Sequence, residues 1–287
     1  MSETSLPQVV AILGLGLIGG SVGMALRSRS PAGMVIGWDR SAKACAKALE
    51  RGAIDQRADR ASEAAQKADI VLIAVPVQSV IPLLEEIAPH LKPGAVVTDV
   101  GSAKSRIVQE ASLLLEEAFI GGHPMAGAVE SGVEAASPDM FQGAPWILTP
   151  IPQTGAETTA AVSALVQRIG AVPRYCDPET HDRWVAALSH LPHLLAYGLA
   201  QTAFSQVSEE GRACAAGSFR DGARVAKSSP AFWTEIMLDN RDALLTALQT
   251  VQEWLEQARI GLERRDAESL YRLLDQAHAA HRQFPLR

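Results

Sequence analysis

The chain has 287 residues, 47% hydrophobic and 20% charged, with a formal net charge of -6, which is more than one ordinary domain and enough apolar material for two cores. The acidic balance, without a basic cluster, excludes nucleic acid and anionic membrane as the main partner. The three cysteines, Cys45, Cys176 and Cys214, lack CxxC spacing, which excludes a disulfide framework or zinc knuckle and points to a reducing compartment. Met1 to Pro7 has no charged or apolar leader region and no 18-residue apolar run follows, so a cytoplasmic protein is expected.

Gln8 to Leu13 is an apolar, β-branched run, and Gly14-Leu15-Gly16-Leu17-Ile18-Gly19 follows at once, opening an amphipathic helix through Arg29. Strand, tight turn and helix start form a dinucleotide fingerprint. Gly14 allows the turn, Gly16 lets the backbone approach a pyrophosphate, and Gly19 lets helix and strand pack, with Leu17 and Ile18 beside the phosphates at the helix N-terminus. A second strand, Met34 to Trp38, ends in Asp39, twenty residues after Gly19, where an acid accepting a ribose hydroxyl belongs. Asp39 favours NAD. Arg40 beside it can stack on adenine or turn to a phosphate, so NADP stays as the alternative.

Ile70 to Val75 and Ala95 to Val100 read as buried parallel strands closed by Pro76 and Gly101. Ala118 to Ile120 and Pro145 to Leu148 extend the sheet, and Ala171 to Tyr175 supplies its edge. The result is an α/β, Rossmann-type doubly wound domain over residues 1–176. Ligands of such sheets bind beyond the carboxyl ends of the strands, which places Gly14 to Gly19, Asp39, Val75-Pro76, Gly101-Ser102 and Gly122-His123 along one crevice. Pro76 serves equally as a simple strand terminator. His123, in Gly121-Gly122-His123-Pro124, is placed by topology opposite the dinucleotide loop, where it reads as a base facing a nicotinamide.

From Asp177 the pattern is helical through 287: Glu179 to Gln206 is amphipathic but interrupted by Pro192, and an apolar stripe runs through Phe232, Ile236, Leu244, Leu248, Val251, Leu255 and Leu262. Apolar faces this broad need a partner surface, and a homodimer through these helices supplies one.

Five motifs in order, GLGLIGGS at 14–21, TDVGSAK at 98–104, GGHPMAG at 121–127, SHLPH at 189–193 and FRDGARVA at 219–226, resemble the prephenate and arogenate dehydrogenases of tyrosine biosynthesis over nearly the whole chain. The resemblance implies a Rossmann domain joined to an all-helical C-terminal dimerisation domain, with the active site in the cleft between them. The reaction implied is NAD-dependent oxidative decarboxylation, giving 4-hydroxyphenylpyruvate from prephenate or, in the arogenate (cyclohexadienyl) alternative, tyrosine from arogenate. It assigns His123 as the base that takes the ring hydroxyl proton as hydride departs, and Ser102 as the serine that orients hydroxyl or base. Arg224 matches the arginine that holds the substrate carboxylate, a role suited to a permanently charged planar fork. Ser189 and His193, at i and i+4, match residues near the substrate side chain, and His181, Asp182 and Asp221 match positions near the cleft.

Plainer readings stand beside these. His123 could be a satisfied turn residue, Arg224 could pair with Asp221 three residues earlier, and His193 could be a buried core histidine. His190 and His193 lack a third ligand at recognisable spacing, so no metal is expected. Where several prephenate-using members carry Glu two residues after the glycine of HPxAG, this chain has Val129 followed by Glu130, which leaves the choice of substrate open. Two other classes are weaker. A β-hydroxyacid dehydrogenase needs an NxxK pair, whereas no lysine lies between Asp177 and Gly217. A non-catalytic NAD(H)-sensing module needs neither His123 nor Arg224.

Overall fold

The structure is a computed structural model and describes residues 8–29, 33–128 and 130–284. Its first compact unit extends to Asn240. In chain order the unit contains β1 (Val9–Leu13), α1 (Leu17–Arg29), β2 (Met34–Trp38), α2 (Ala42–Glu50), β3 (Gln56–Arg57), α3 (Ala61–Lys67) and β4 (Ile70–Ile73). There follow α4 (Val77–Ile87), β5 (Val96–Asp99), α5 (Ser105–Leu115), β6 (Phe119–Pro124), β7 (Pro145–Thr149), α6 (Ala156–Arg168) and β8 (Val172–Tyr175). The helices α7 (Pro178–Val185), α8 (Leu191–Gln206), α9 (Glu209–Arg212), α10 (Gly217–Ala223) and α11 (Pro230–Asp239) complete it.

The eight strands form one sheet in the order β3-β2-β1-β4-β5-β6-β7-β8. Strand order reverses between β1 and β4, the switch point at which doubly wound sheets open a ligand crevice. The strands β1, β4 and β5 are buried throughout or nearly so because helices cover both faces of the sheet. One core cluster packs Ile12, Val22, Leu72 and Trp146, and the other Leu13, Val80, Ile73 and Val97, so successive residues of one strand serve opposite cores.

Three features depart from the sequence expectation. Strand β7 runs antiparallel to β6, because the described residues between them hold only a 3-10 turn, Val133–Ala135, and not the helix that a parallel crossover requires. Strand β6 continues past Ile120 through Pro124, so His123 sits inside a strand, paired with Ile147, and not in a turn after it. The short edge strand β3, only two exposed residues, carries no pattern a sequence reading detects.

Between α7 and α8 the helix does not stop at Pro192: it widens into a π turn over Ala186–His190 and continues. A proline within a helix lacks an N–H and crowds the carbonyl four residues earlier, here Leu188, and the wider turn relieves that crowding.

The second unit, from Arg241, is a helical hairpin of α12 (Arg241–Arg264) and α13 (Ala267–His281). Arg265, at φ 52°, makes the turn, Asp266 caps α13 by accepting from Ser269 N at 3.0 Å, and buried Gly261 of α12 faces Leu270 of α13. The apolar stripe expected from Phe232 to Leu262 is therefore divided between the two units at Asn240, and Leu255 and Leu262 on α12 are exposed.

Candidate active site

The crevice begins at the glycine fingerprint. Gly14 has φ +102°, and a Cβ there would lie 2.4 Å from the Ala74 carbonyl; one on Gly19 would lie 1.9 Å from the Gly14 carbonyl. Both positions exclude a side chain, one by conformation and contact, the other by contact alone. At Gly16 a Cβ would meet nothing within 4 Å, so the loop presents open backbone ahead of α1. Leu17 and Ile18 open the helix and are half-buried.

Asp39 follows β2, and its carboxylate accepts from Leu15 N and Ser41 N, both at 2.8 Å, tying the glycine loop to the start of α2. It does not cap α2; Ser41 does, accepting from Ala44 N. Leu15, Gly16, Asp39, Ser41, Lys43 and Glu134 line a cavity at this edge. Arg40 is exposed, Val75 half-buried, and Pro76 precedes α4 at its N-cap. An extended dinucleotide fits this arrangement: open backbone and a helix N-terminus for its phosphates, a fixed carboxylate for a ribose.

At the end of β6 a second construction starts from a buried ion pair. Asp99, the last residue of β5, pairs with the Nζ of Lys104, and both side chains are fully buried. The Lys104 ammonium also donates to the Gly122 carbonyl at 3.0 Å, while Gly101 N and Gly122 N donate to the Asp99 carboxylate at 2.8 and 3.1 Å. Buried charges persist only when paired and hydrogen-bonded in this way. The packing around this pair leaves no room for side chains at the glycines before His123. A Cβ on Gly122 would lie 2.6 Å from the Asp99 carbonyl, and one on Gly121 would lie 3.2 Å from the Lys104 side chain and 2.4 Å from Thr149 Oγ1.

His123 stands on this base. Its Nδ1 lies 2.8 Å from Nε2 of buried His181 on α7, and His181 Nδ1 lies 2.8 Å from the Asp182 carboxylate. Asp182 accepts from the backbone of Lys104 at 2.7 Å and Ser105 at 2.8 Å, so its charge sits at the N-terminus of α5. Burial, then the neighbouring His181, Lys104 and His190, hold His123 well below the usual histidine range. Burial also pulls His181 down, despite the Asp182 hydrogen bond. Although burial pushes the Asp182 carboxyl up, hydrogen bonds from His181 and from the Ser105 and Lys104 backbone bring it below the ordinary value. Ser102 lies half-buried between Gly101 and Lys104, on the bend joining β5 to α5.

On α8, the His193 ring stacks on Trp233 of α11, centroids 3.5 Å apart, and its Nδ1 is 2.9 Å from the Ser189 carbonyl. A carbonyl only accepts, so that nitrogen carries the proton and Nε2 is left as an acceptor. His190, the other histidine of SHLPH, is buried against Asn240 instead, its Nδ1 3.2 Å from the Asn240 amide nitrogen, and burial pushes its pKa down to about 4. Among the described residues no cluster of His, Cys, Asp or Glu is arranged to hold a metal ion.

Residues 22–175 match the family model of the prephenate dehydrogenase nucleotide-binding domain, and residues 177–276 that of the prephenate dehydrogenase dimerization domain. The chain belongs to the prephenate dehydrogenase family. It is 37% identical over 283 residues to a prephenate dehydrogenase of Bacillus subtilis, covering 97% of this chain and 76% of that one. Among solved structures it is similar to prephenate dehydrogenase from A. aeolicus in complex with hydroxyphenyl propionate and NAD+, at TM-score 0.91 and 30% identity, covering 98% of this chain and 99% of that one. It is also similar to Synechocystis arogenate dehydrogenase, at TM-score 0.84 and 34% identity, covering 96% and 99%.

The remaining residues singled out by the family motifs lie on the helical side of the first unit. Arg224 is exposed in the 3-10 turn after α10, and among the described residues it has no carboxylate within ion-pair distance. The pairing with Asp221 that the sequence spacing allows is not made; Asp221 lies 3.7 Å from Arg220 instead, both exposed. Arg224 is near enough to His193 that its charge, after burial, lowers the histidine pKa. Ser189 is half-buried in the π turn. Val129, the departure from the family pattern, lies outside the described residues.

Sequence reasoning missed Lys104 and Asp99, although both stand in TDVGSAK, and it missed the contribution of Trp233 and Asn240. It named His181 and Asp182 only as residues near the cleft. A lysine in the loop beyond a buried strand carries no sign that it folds back beneath the next strand.

Proposed function

We propose that this chain catalyses the NAD-dependent oxidative decarboxylation of prephenate to 4-hydroxyphenylpyruvate. The observation that carries the reading is the His123–His181–Asp182 hydrogen-bonded chain at the end of β6, within a fold whose relatives are prephenate dehydrogenases. Gly14 to Gly19 and Asp39 hold the cofactor, with Arg40, Val75, Pro76 and Gly101 beside it. NAD, when bound, supplies the hydride acceptor. Lowered basicity keeps His123 neutral near pH 7, so that it can take the ring hydroxyl proton. Ser102 orients that hydroxyl, Arg224 binds a substrate carboxylate through its free guanidinium, and His193, Ser189 and Asp221 shape the substrate side of the cleft, whereas His181, buried with both ring nitrogens engaged, stands behind His123 and not against substrate. Aromatisation drives loss of carbon dioxide, so the protein needs only to position that carboxylate.

In this reading residues 1–176 form the dinucleotide-binding domain and 177–287 the substrate and dimerisation domain. A homodimer through the C-terminal helices is supported by the dimerization-domain match and by exposed apolar side chains such as Leu245, Leu255 and Leu274. No described helix is long and apolar enough to cross a membrane, and we place the enzyme in the cytoplasm.

The test is NADH formation with prephenate and with arogenate, each repeated with NADP. Turnover of prephenate, with kcat/KM for NAD above that for NADP, is the expected result. A preference for arogenate would reassign the substrate. An equal or greater kcat/KM with NADP would remove the role given to Asp39.

A further inference from the structure

The hydrogen-bonded chain behind His123 assigns its proton positions. Asp182 receives backbone N–H groups on both carboxylate oxygens, and Oδ1 also faces His181 Nδ1, which must therefore be the protonated nitrogen of that ring. Neutral His181 then has only a lone pair at Nε2. The 2.8 Å contact there requires a proton on His123 Nδ1, which leaves His123 Nε2 as the basic nitrogen. Among the described residues, His123 Nε2 has no hydrogen-bond partner.

We propose that His181 and Asp182 form a proton relay for His123: a proton taken from substrate at His123 Nε2 sends the Nδ1 proton on to His181 Nε2, and the positive charge settles beside Asp182. This rests on the dehydrogenase reading above. The step is balanced. The substrate O–H bond breaks as His123 Nε2–H forms, His123 Nδ1–H breaks as His181 Nε2–H forms, and the hydride leaves separately to NAD. His123 ends neutral with its proton on the other nitrogen, and His181 ends as an imidazolium paired with a carboxylate.

Geometry favours this direction of transfer. Around His123 stand the Lys104 ammonium below β6, His181 on α7 and His190 in the π turn, so a positive charge kept on His123 faces a cation without a carboxylate of its own. One ring deeper the Lys104 ammonium still acts on the charge, but there the charge meets a carboxylate in hydrogen-bond contact, Asp182, anchored at the N-terminus of α5. Lys104 is paired with Asp99 on the other side. His181 is thus a positioning residue that acts through His123 and completes its proton transfer.

The test begins with a measurement that needs no variant. Long-range proton–nitrogen NMR correlations on histidine-labelled full-length protein, with and without NAD, should show His123 and His181 both protonated at Nδ1 and bare at Nε2 near neutral pH. A proton on His123 Nε2 would overturn the relay. His181→Gln supplies the kinetic half, since a glutamine oxygen can still accept from His123 Nδ1 but cannot take up the proton. We expect unchanged KM for NAD and substrate, kcat lowered roughly tenfold, and the acidic limb displaced to lower pH because the apparent pKa belongs to the pair. Unchanged kcat and acidic limb in His181→Gln would reduce His181 to packing. Failure of the wild-type protein to oxidise either substrate would defeat the dehydrogenase reading itself, whereas the proton positions seen by NMR would uphold or overturn the tautomers independently of turnover.

Discussion

The two sides of the site are built on opposite principles. Behind His123 every polar group of the chain Lys104–Asp99 and His181–Asp182 is buried and satisfied within the protein. On the helical side Arg224 is exposed and has no carboxylate partner among the described residues, and His193 is held by stacking on Trp233 and one bond to its own helix. On the proposed function, the difference teaches which part of the chemistry folding completes in advance. A base must be held to within a fraction of an ångström and kept neutral, so its surroundings are organised before substrate arrives. An arginine that binds an anion must be free to exchange water for that anion, and a permanent internal carboxylate would compete with it.

The comparison breaks most sharply at His123. His123→Asn keeps a side chain that can bond His181 and removes the base, so kcat should fall by about 10² to 10⁴ with NAD affinity retained. Because the base must be unprotonated, wild-type kcat should also fall as pH drops through the lowered His123 pKa. Near-wild-type kcat in His123→Asn with the same acidic limb would move the base elsewhere, most directly to His193 with its bare Nε2.

A second measurement asks whether the buried side is coupled to folding. His190 accepts from Asn240 at 3.2 Å and has its pKa pushed from 6.5 to about 4, so the unfolded chain binds this proton first as pH falls. The His190 contribution to stability should therefore decline between pH 6.5 and about 4, by on the order of 3 kcal/mol, and level off below. Urea titrations across that range on wild type and His190→Gln read the effect. Equal slopes in the two proteins would detach His190 from acid stability.

The smallest effect is expected where the chain has left a charge free. Arg224→Ala should raise KM for substrate by roughly ten- to a hundredfold, as a charged hydrogen-bond pair is worth about 1.5 to 3 kcal/mol. KM for NAD and Tm should barely change, since no ion pair within the protein is lost. A lowered Tm with unchanged substrate KM would return Arg224 to a structural role and erase the contrast with His123.

The geometry of the glycine loop in the candidate site was legible in the sequence because its requirements are local. A turn with positive φ at Gly14, contact between Gly14 and Gly19, and a carboxylate at the next strand's end all leave marks at fixed spacing. The histidine half was legible only as motifs. GGHPMAG announces His123 but not why two glycines precede it, since the reason is contact with separate segments, the Asp99 carbonyl and Trp146 at Gly122 and Thr149 and Val108 at Gly121. The same applies to Pro192, where the residue signals an interruption but only packing selects a π turn over a break.

By itself, then, the sequence determined the sheet-and-helix alternation, the crevice at the strand ends and the candidate base, because hydrophobic period and glycine spacing act over short stretches of chain. Only the tertiary structure decided the reversal of β7, the division of the apolar stripe at Asn240 and the contact of His123 with His181, 58 residues later. Those outcomes depend on which separate segments meet, and the direction of a hydrogen bond across that distance has no local pattern to record it.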